Sequence, residues 1–290
     1  MKKILLASTA LVLSAGLASA QGLSISGQGR MGVQYNSTLA TTTRQENRLQ
    51  LNFNVSVAAD HGMSFGAYSR VRINNGATGI FSGSRVWGEI SGFRITVGNQ
   101  DGAVRGAGVA FGYAGGCGVG YEGGQQCGDS MGLLGVTQGF ASTGGGFTIA
   151  TARTRIDYTM GDTRIALSRV GGGATEIGAR TSFNAWTVAA GYSNTGTGVT
   201  TVSAGYNGGS WAAGLGLARI AGATNYVLQG STNMGGGSVY GYIGRVAGSA
   251  TYGLNYGYGL GGGATLTVGA ERNTAGAGTT TASVGVAFNF

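Results

Sequence analysis

The sequence has no proline, one histidine and two cysteines, and after Lys3 every basic residue is an arginine. Charged residues make up 10% of the chain, against roughly 25% in soluble globular proteins. Nor does any segment after the first twenty residues hold the unbroken apolar run that a membrane helix requires. Each shortage excludes a class of protein. A hydrolase built on a histidine base has only His61 to use, and His61 sits in an Asp60-His61-Gly62 turn pattern. A zinc site has two thiols and no neighbouring histidine. A nucleic-acid surface would cluster its arginines on a patch, whereas here they are spread along the chain.

What remains is abundant glycine, 61 residues, with regularly placed tyrosine, valine and isoleucine. Glycine disfavours helix, and the regular apolar residues argue against glycine-rich disorder. Residues 1–20 carry the marks of an export signal: basic Lys2 and Lys3, an apolar Ile4 to Leu13, and Ala18-Ser19-Ala20 as a small-residue cleavage site. Removing Lys2 and Lys3 with that signal takes the formal charge from +8 to +6. Residues 21–290 then read as one domain.

The chain alternates. Leu49, Leu51, Phe53, Val55 and Val57 share one parity, and Arg48, Gln50, Asn52, Asn54 and Ser56 the other. Leu23, Ile25, Met31, Val33 and Tyr35 oppose Ser24, Ser26, Gln28, Arg30 and Gln34 in the same way. Period two over nine or ten residues suits a tilted strand crossing a bilayer. About sixteen such segments start near 22, 46, 62, 79, 92, 151, 162, 174, 184, 199, 209, 223, 236, 249, 263 and 280; fourteen or eighteen are also compatible. Short links alternate with longer ones, as in a bacterial barrel with both ends of the chain on the short-turn side. The expected fold is therefore an all-β transmembrane antiparallel barrel. A soluble sandwich also alternates, but the signal, the low charge and the strand number favour the barrel. Tyr35, Tyr158, Tyr192 and Tyr206 are expected in its interfacial aromatic girdle.

Arg30, Arg48, Arg70, Arg72, Arg85 and Arg94 all take the parity opposite the apolar set. An arginine facing mid-bilayer lipid costs roughly 2–4 kcal/mol, so these six are expected on the wall of a water-filled lumen. The pattern Gly27-Gln28-Gly29-Arg30-Met31-Gly32 fits GxGxxG but lies within a strand, so it is not read as a nucleotide loop. No cofactor or nucleic-acid partner is expected.

One stretch, from about 100 to 147, breaks the rhythm and holds Cys117 and Cys127. In an oxidising compartment the two can pair, contributing roughly 2–3 kcal/mol of local constraint in the chain-entropy view; two free thiols are the alternative.

The stretch GSRVWGEISGFRITVGNQDGA, the opening LSISGQGRMGVQYN and the ending VGVAFNF resemble general-diffusion porins of the alphaproteobacterial type. The resemblance covers both ends and the first five strands. It implies sixteen strands per barrel, a homotrimer in the outer membrane, and a third external loop folded inward to narrow the pore. In that family, loop acids face wall arginines. The corresponding candidates are Asp101, Glu122 and Asp129 on the loop, opposite the six arginines, although this chain is poorer in acids than the family. The expected function is passive diffusion of small hydrophilic solutes and ions with weak anion preference, without enzymatic activity. A non-conducting structural or adhesive barrel in outer-membrane lipid is the alternative.

Overall fold

The computed structural model describes residues 21–74, 79–108, 133, 153–171, 173–196 and 198–290. Among these residues the chain forms β1 (Gln21–Asn36), β2 (Thr43–Ala58), β3 (Ser64–Asn74), β4 (Ile80–Phe81), β5 (Arg85–Ile90) and β6 (Phe93–Gly98). A short helix α1 (Ala103–Gly106) follows, then β7 (Arg153–Met160), β8 (Thr163–Val170), β9 (Thr175–Phe183), β10 (Trp186–Ser193) and β11 (Val199–Asn207). The remaining strands are β12 (Trp211–Ile220), β13 (Ala223–Met234), β14 (Gly237–Val246), β15 (Ser249–Gly261), β16 (Ala264–Asn273) and β17 (Thr279–Asn289). Neighbours pair antiparallel in chain order, and β17 returns to β1, which closes the sheet.

β4 and β5 both pair with β3 and are two pieces of one barrel strand, so sixteen strands form the wall among the described residues. Val71 pairs with Phe81 but Tyr68 with Arg85, one residue out of step, which marks a bulge. Ser82 fills the break. Its amide donates to the Arg70 carbonyl at 2.7 Å, and its hydroxyl oxygen accepts from the Arg70 amide at 3.2 Å. The sequence pattern treats this stretch as one continuous strand, because a single inserted residue hardly disturbs a short alternation. Elsewhere each strand starts within three residues of its expected position.

Closure is set by hydrogen bonding. Lipid offers no partner for a backbone amide, so a sheet in a bilayer must have no free edge. The last residue completes the seam: the Gly27 amide donates to the Phe290 carbonyl at 2.8 Å, and the Phe290 amide donates back to Gly27 at 3.1 Å. On the outer face the Phe290 and Phe288 rings lie where side chains of Gly27 and Gly29 would stand, 2.3 and 2.2 Å from their ideal Cβ positions. Two glycines of the GxGxxG pattern thus make room for the rings of the closing strand.

The apolar parity points outward. Leu23, Ile243 and Leu254 are 59%, 60% and 62% exposed, and they belong to a continuous outer surface that includes Val55, Phe65, Ile95, Leu167 and Leu215. An apolar surface of this extent marks a membrane-facing protein. Tyr35, Tyr158 and Tyr192 are exposed on it, whereas Tyr206 packs between Trp186 and Trp211 at 5.0 and 5.1 Å.

Most of the longer connections gather at one end, although 221–222 and 247–248 there are two-residue turns. One end carries turns such as 91–92, 161–162 and 184–185 together with the end of β17, and the other carries 37–42, 99–152 and 274–278. His61 lies in the tight turn Asp60–Gly62 with φ 62°. The longer connections mark the external end. Leu51 lies mid-strand on the outer parity of β2, and Ser26 on the lumen parity of β1. Leu51→Arg should destabilise the folded barrel by about 2–4 kcal/mol in lipid, and Ser26→Arg by no more than about 0.5 kcal/mol. Reversible denaturant unfolding in vesicles checks this; equal losses would contradict the assigned faces.

Candidate functional site

The inner face of β1–β3 is built from alternating long polar side chains. Arg30, Arg48, Arg70 and Arg72 project from it, and their order follows from pairing: Arg30 opposite Arg48, Gln50 opposite Arg72, Asn52 opposite Arg70. Like charges so close need orientation, and side-chain amides supply it. Arg30 donates through Nε to Gln28 Oε1 at 2.7 Å, and Arg48 through Nε to Asn74 Oδ1 at 2.9 Å. Arg72 donates twice to Gln50 Oε1, at 2.9 and 2.7 Å. An amide carbonyl fixes a guanidinium without cancelling its charge, so Arg72 still feels the repulsion of Arg48, Arg70 and Arg30.

Arg85 and Arg94 stand further round. Arg85 lies 4.2 Å above the Tyr68 ring, and Arg94 lies 4.2 Å above Trp87 while pairing with Glu89. Arg94 is the second residue of β6 and therefore belongs to the short-turn mouth rather than to the middle of the lumen. The other five wall arginines lie deeper or toward the external half.

Asp101 follows β6 directly and exerts an attractive field on Arg70, Arg85 and Arg153. The wall holds the segment that carries it. Arg153 and Arg155 donate to the carbonyls of Gln100 and Asp101 at 2.6 and 2.7 Å. α1 then lies on the inner face of β8–β10. Its first amides find wall acceptors, Ala103 donating to Ser168 Oγ at 2.8 Å and Val104 to Glu176 Oε2 at 3.2 Å. Gly178 permits the contact, since a Cβ there would sit 2.5 Å from the Ala103 carbonyl oxygen. The start of the third external connection thus enters the lumen. Glu122, Asp129, Cys117 and Cys127 lie outside the described residues.

Sequence reasoning missed several charged groups on the same inner surface. Arg155 and Arg164 flank Asp157 at 2.8 and 2.9 Å, and Arg44 pairs with Glu46 at 2.6 Å. Alternation along Arg153, Thr154, Arg155, Ile156 and Asp157 carried the signal, but this strand follows the irregular stretch, where parity has no reference. Glu271 is buried on the opposite side, accepting from the Tyr242 and Thr281 hydroxyls at 2.9 and 3.0 Å. Charge on the described inner wall is therefore mixed, with arginines in excess. No group of three or more metal-ligating side chains occurs among the described residues.

Gly178→Val should push α1 off the wall into the lumen, so single-channel conductance should fall while the barrel still folds. Unchanged conductance would show that α1 does not border the conducting path.

Comparison with solved structures finds the same architecture. A fivefold and a double mutant of the porin of Rhodopseudomonas blastica each superpose with a TM-score of 0.80, and a triple mutant with 0.78. Each is 22% identical, and the match covers 93% of this chain and 100% of that one. At that identity the likeness establishes the fold. Comparison with curated protein sequences returns no match. The family model described as Gram-negative porin matches residues 7–285, and the chain belongs to that family.

Proposed function

We propose that this porin is a passive, water-filled channel for small hydrophilic solutes and ions, with weak preference for anions. It lies in the Gram-negative outer membrane, and its family comprises channels rather than enzymes. The observation that carries the reading is the Arg30, Arg48, Arg70 and Arg72 cluster on one wall, with Asp101 held in its field by Arg153 and Arg155. Opposed charges across a narrow aqueous path create a transverse field. That field orders water and aligns dipolar solutes, while apolar solutes must disrupt the ordered water and are slowed. Rings of charge also set ion preference, and the arginine excess tilts it toward anions.

The same proposal includes export under a leader at residues 1–20, a barrel domain at 21–290, and assembly of three copies, as the family resemblance implies. It further places Glu122 and Asp129 on the narrowing loop and joins Cys117 to Cys127 there, so that the loop is constrained in the oxidising compartment.

Planar-bilayer recording in a salt gradient tests the channel and its sign together. Conductance steps with a reversal potential favouring anions are expected. Arg70→Ala with Arg72→Ala should raise conductance and bring the reversal potential toward zero. A cation-favouring potential would contradict the anion preference, and an absence of steps would leave the non-conducting barrel.

A further inference from the structure

The charged side chains of the lumen occupy one half of the wall. Residues 186–290, which run from β10 to β17, contain four charged residues, Arg219, Arg245, Glu271 and Arg272. The three arginines are exposed and take the outward parity of Leu217, Ile243 and Val268. Glu271 is buried, accepting from the Tyr242 and Thr281 hydroxyls. The inner face from β13 to β17 is therefore an uncharged floor, and strand pairing gives its pattern. Asn233, Ser238, Gly257, Thr267 and Gly285 stand on one row across five strands. Ser231, Tyr240, Asn255, Gly269 and Ser283 stand on the next row of the same face. Both rows set hydroxyls and amides beside glycines.

At its short-turn end this floor opens into a hollow of about 630 Å³, bordered by Asn233, Ser238, Gly257, Gly259 and Thr265. An ideal Cβ on Gly259 meets nothing within 4 Å, and one on Gly257 meets Ser238 Oγ at 3.6 Å and Thr265 Cγ2 at 3.8 Å. The hollow is thus space that absent side chains leave open. Its row ends on a guanidinium. Gly259 pairs with Thr265, Thr265 with Ala287, and Ala287 with Arg30, so Thr265 and Arg30 stand two strand spacings apart, roughly 10 Å. Arg30 is turned toward the short-turn end by its bond to Gln28, whose amide donates on to Asn289 Oδ1 at 3.4 Å. Arg48 pairs with Arg30 from the other side and adds a second positive charge.

Hydroxyls and amides both donate and accept, as sugar hydroxyls do, whereas a guanidinium only donates and suits an anion. A neutral sugar can use the floor alone, and a carboxylate without hydroxyls Arg30 alone. A sugar that carries an acidic group uses both. We infer that Arg30 and the hollow at Asn233, Ser238 and Thr265 form a subsite for acidic sugars, with the anionic group on Arg30 and the ring hydroxyls on the floor. The subsite rests on the channel reading above and gives that channel a solute class.

Single-channel recording of the full barrel in planar bilayers tests this through current block by glucuronate, glucose or cyclohexanecarboxylate at constant ionic strength. The half-blocking concentration of glucuronate should lie about fivefold or more below those of the other two. Arg30→Gln should remove the advantage over glucose. Gly257→Val, whose side chain fills the hollow, should remove the advantage over cyclohexanecarboxylate. Open-channel steps in chloride alone report for each protein that the pore has formed. Equal half-blocking concentrations with steps present would overturn the subsite and leave the channel standing, as would a glucuronate advantage that survives both substitutions. An absence of steps in the wild type would overturn both.

Discussion

The structure depends on one constraint: a bilayer core offers the backbone no hydrogen-bond partner and offers a charge no solvation. The first half of that constraint closes the sheet. β17 pairs with β1, and the terminal Phe290 exchanges two backbone hydrogen bonds with Gly27, so among the described residues no wall strand keeps an open edge. The second half sorts the side chains. With a period of two, each strand presents one face to lipid and one to the lumen, and the guanidinium groups of β1–β3 have only one side on which they can be hydrated. Fold and permeation path therefore have the same origin.

Arginine is suited to this lumen. Its charge persists at any pH the cell meets, and its planar fork can be fixed by neutral amides. Gln28, Asn74 and Gln50 do this for Arg30, Arg48 and Arg72. Where carboxylates do the fixing, as Asp157 does between Arg155 and Arg164, the local field is weaker. The wall thus contains amide-fixed and carboxylate-paired arginines, and α1 rests on β8–β10, its first amides held by Ser168 and Glu176. The β1–β3 arginines are held by neutral amides instead.

Much of this was legible in the sequence, because alternation is a local property. The parity of Leu49 to Val57 against Arg48 to Ser56 already assigns β2 its two faces. The Ser82 bulge was not legible, since a one-residue insertion shows only in the partner register. α1 was not legible either. A four-residue helix has no periodicity to read, and it exists here because Gly178 leaves space and two wall side chains accept its amides. The outward arginines could have been found. Arg169, Arg219, Arg245 and Arg272 each follow an apolar series of their own parity, but each is the last outward residue before a turn, where alternation no longer distinguishes strand from loop.

The central claim is that adjacent residues of one strand live in different solvents. Nitroxide labels placed one at a time at Arg70, Val71, Arg72 and Ile73, with the barrel in lipid vesicles, test it most directly. Labels at 71 and 73 should relax with oxygen, which concentrates in hydrocarbon, and labels at 70 and 72 with a water-soluble nickel complex. The same accessibility at all four positions would contradict a barrel with lipid on one face and a hydrated pore on the other.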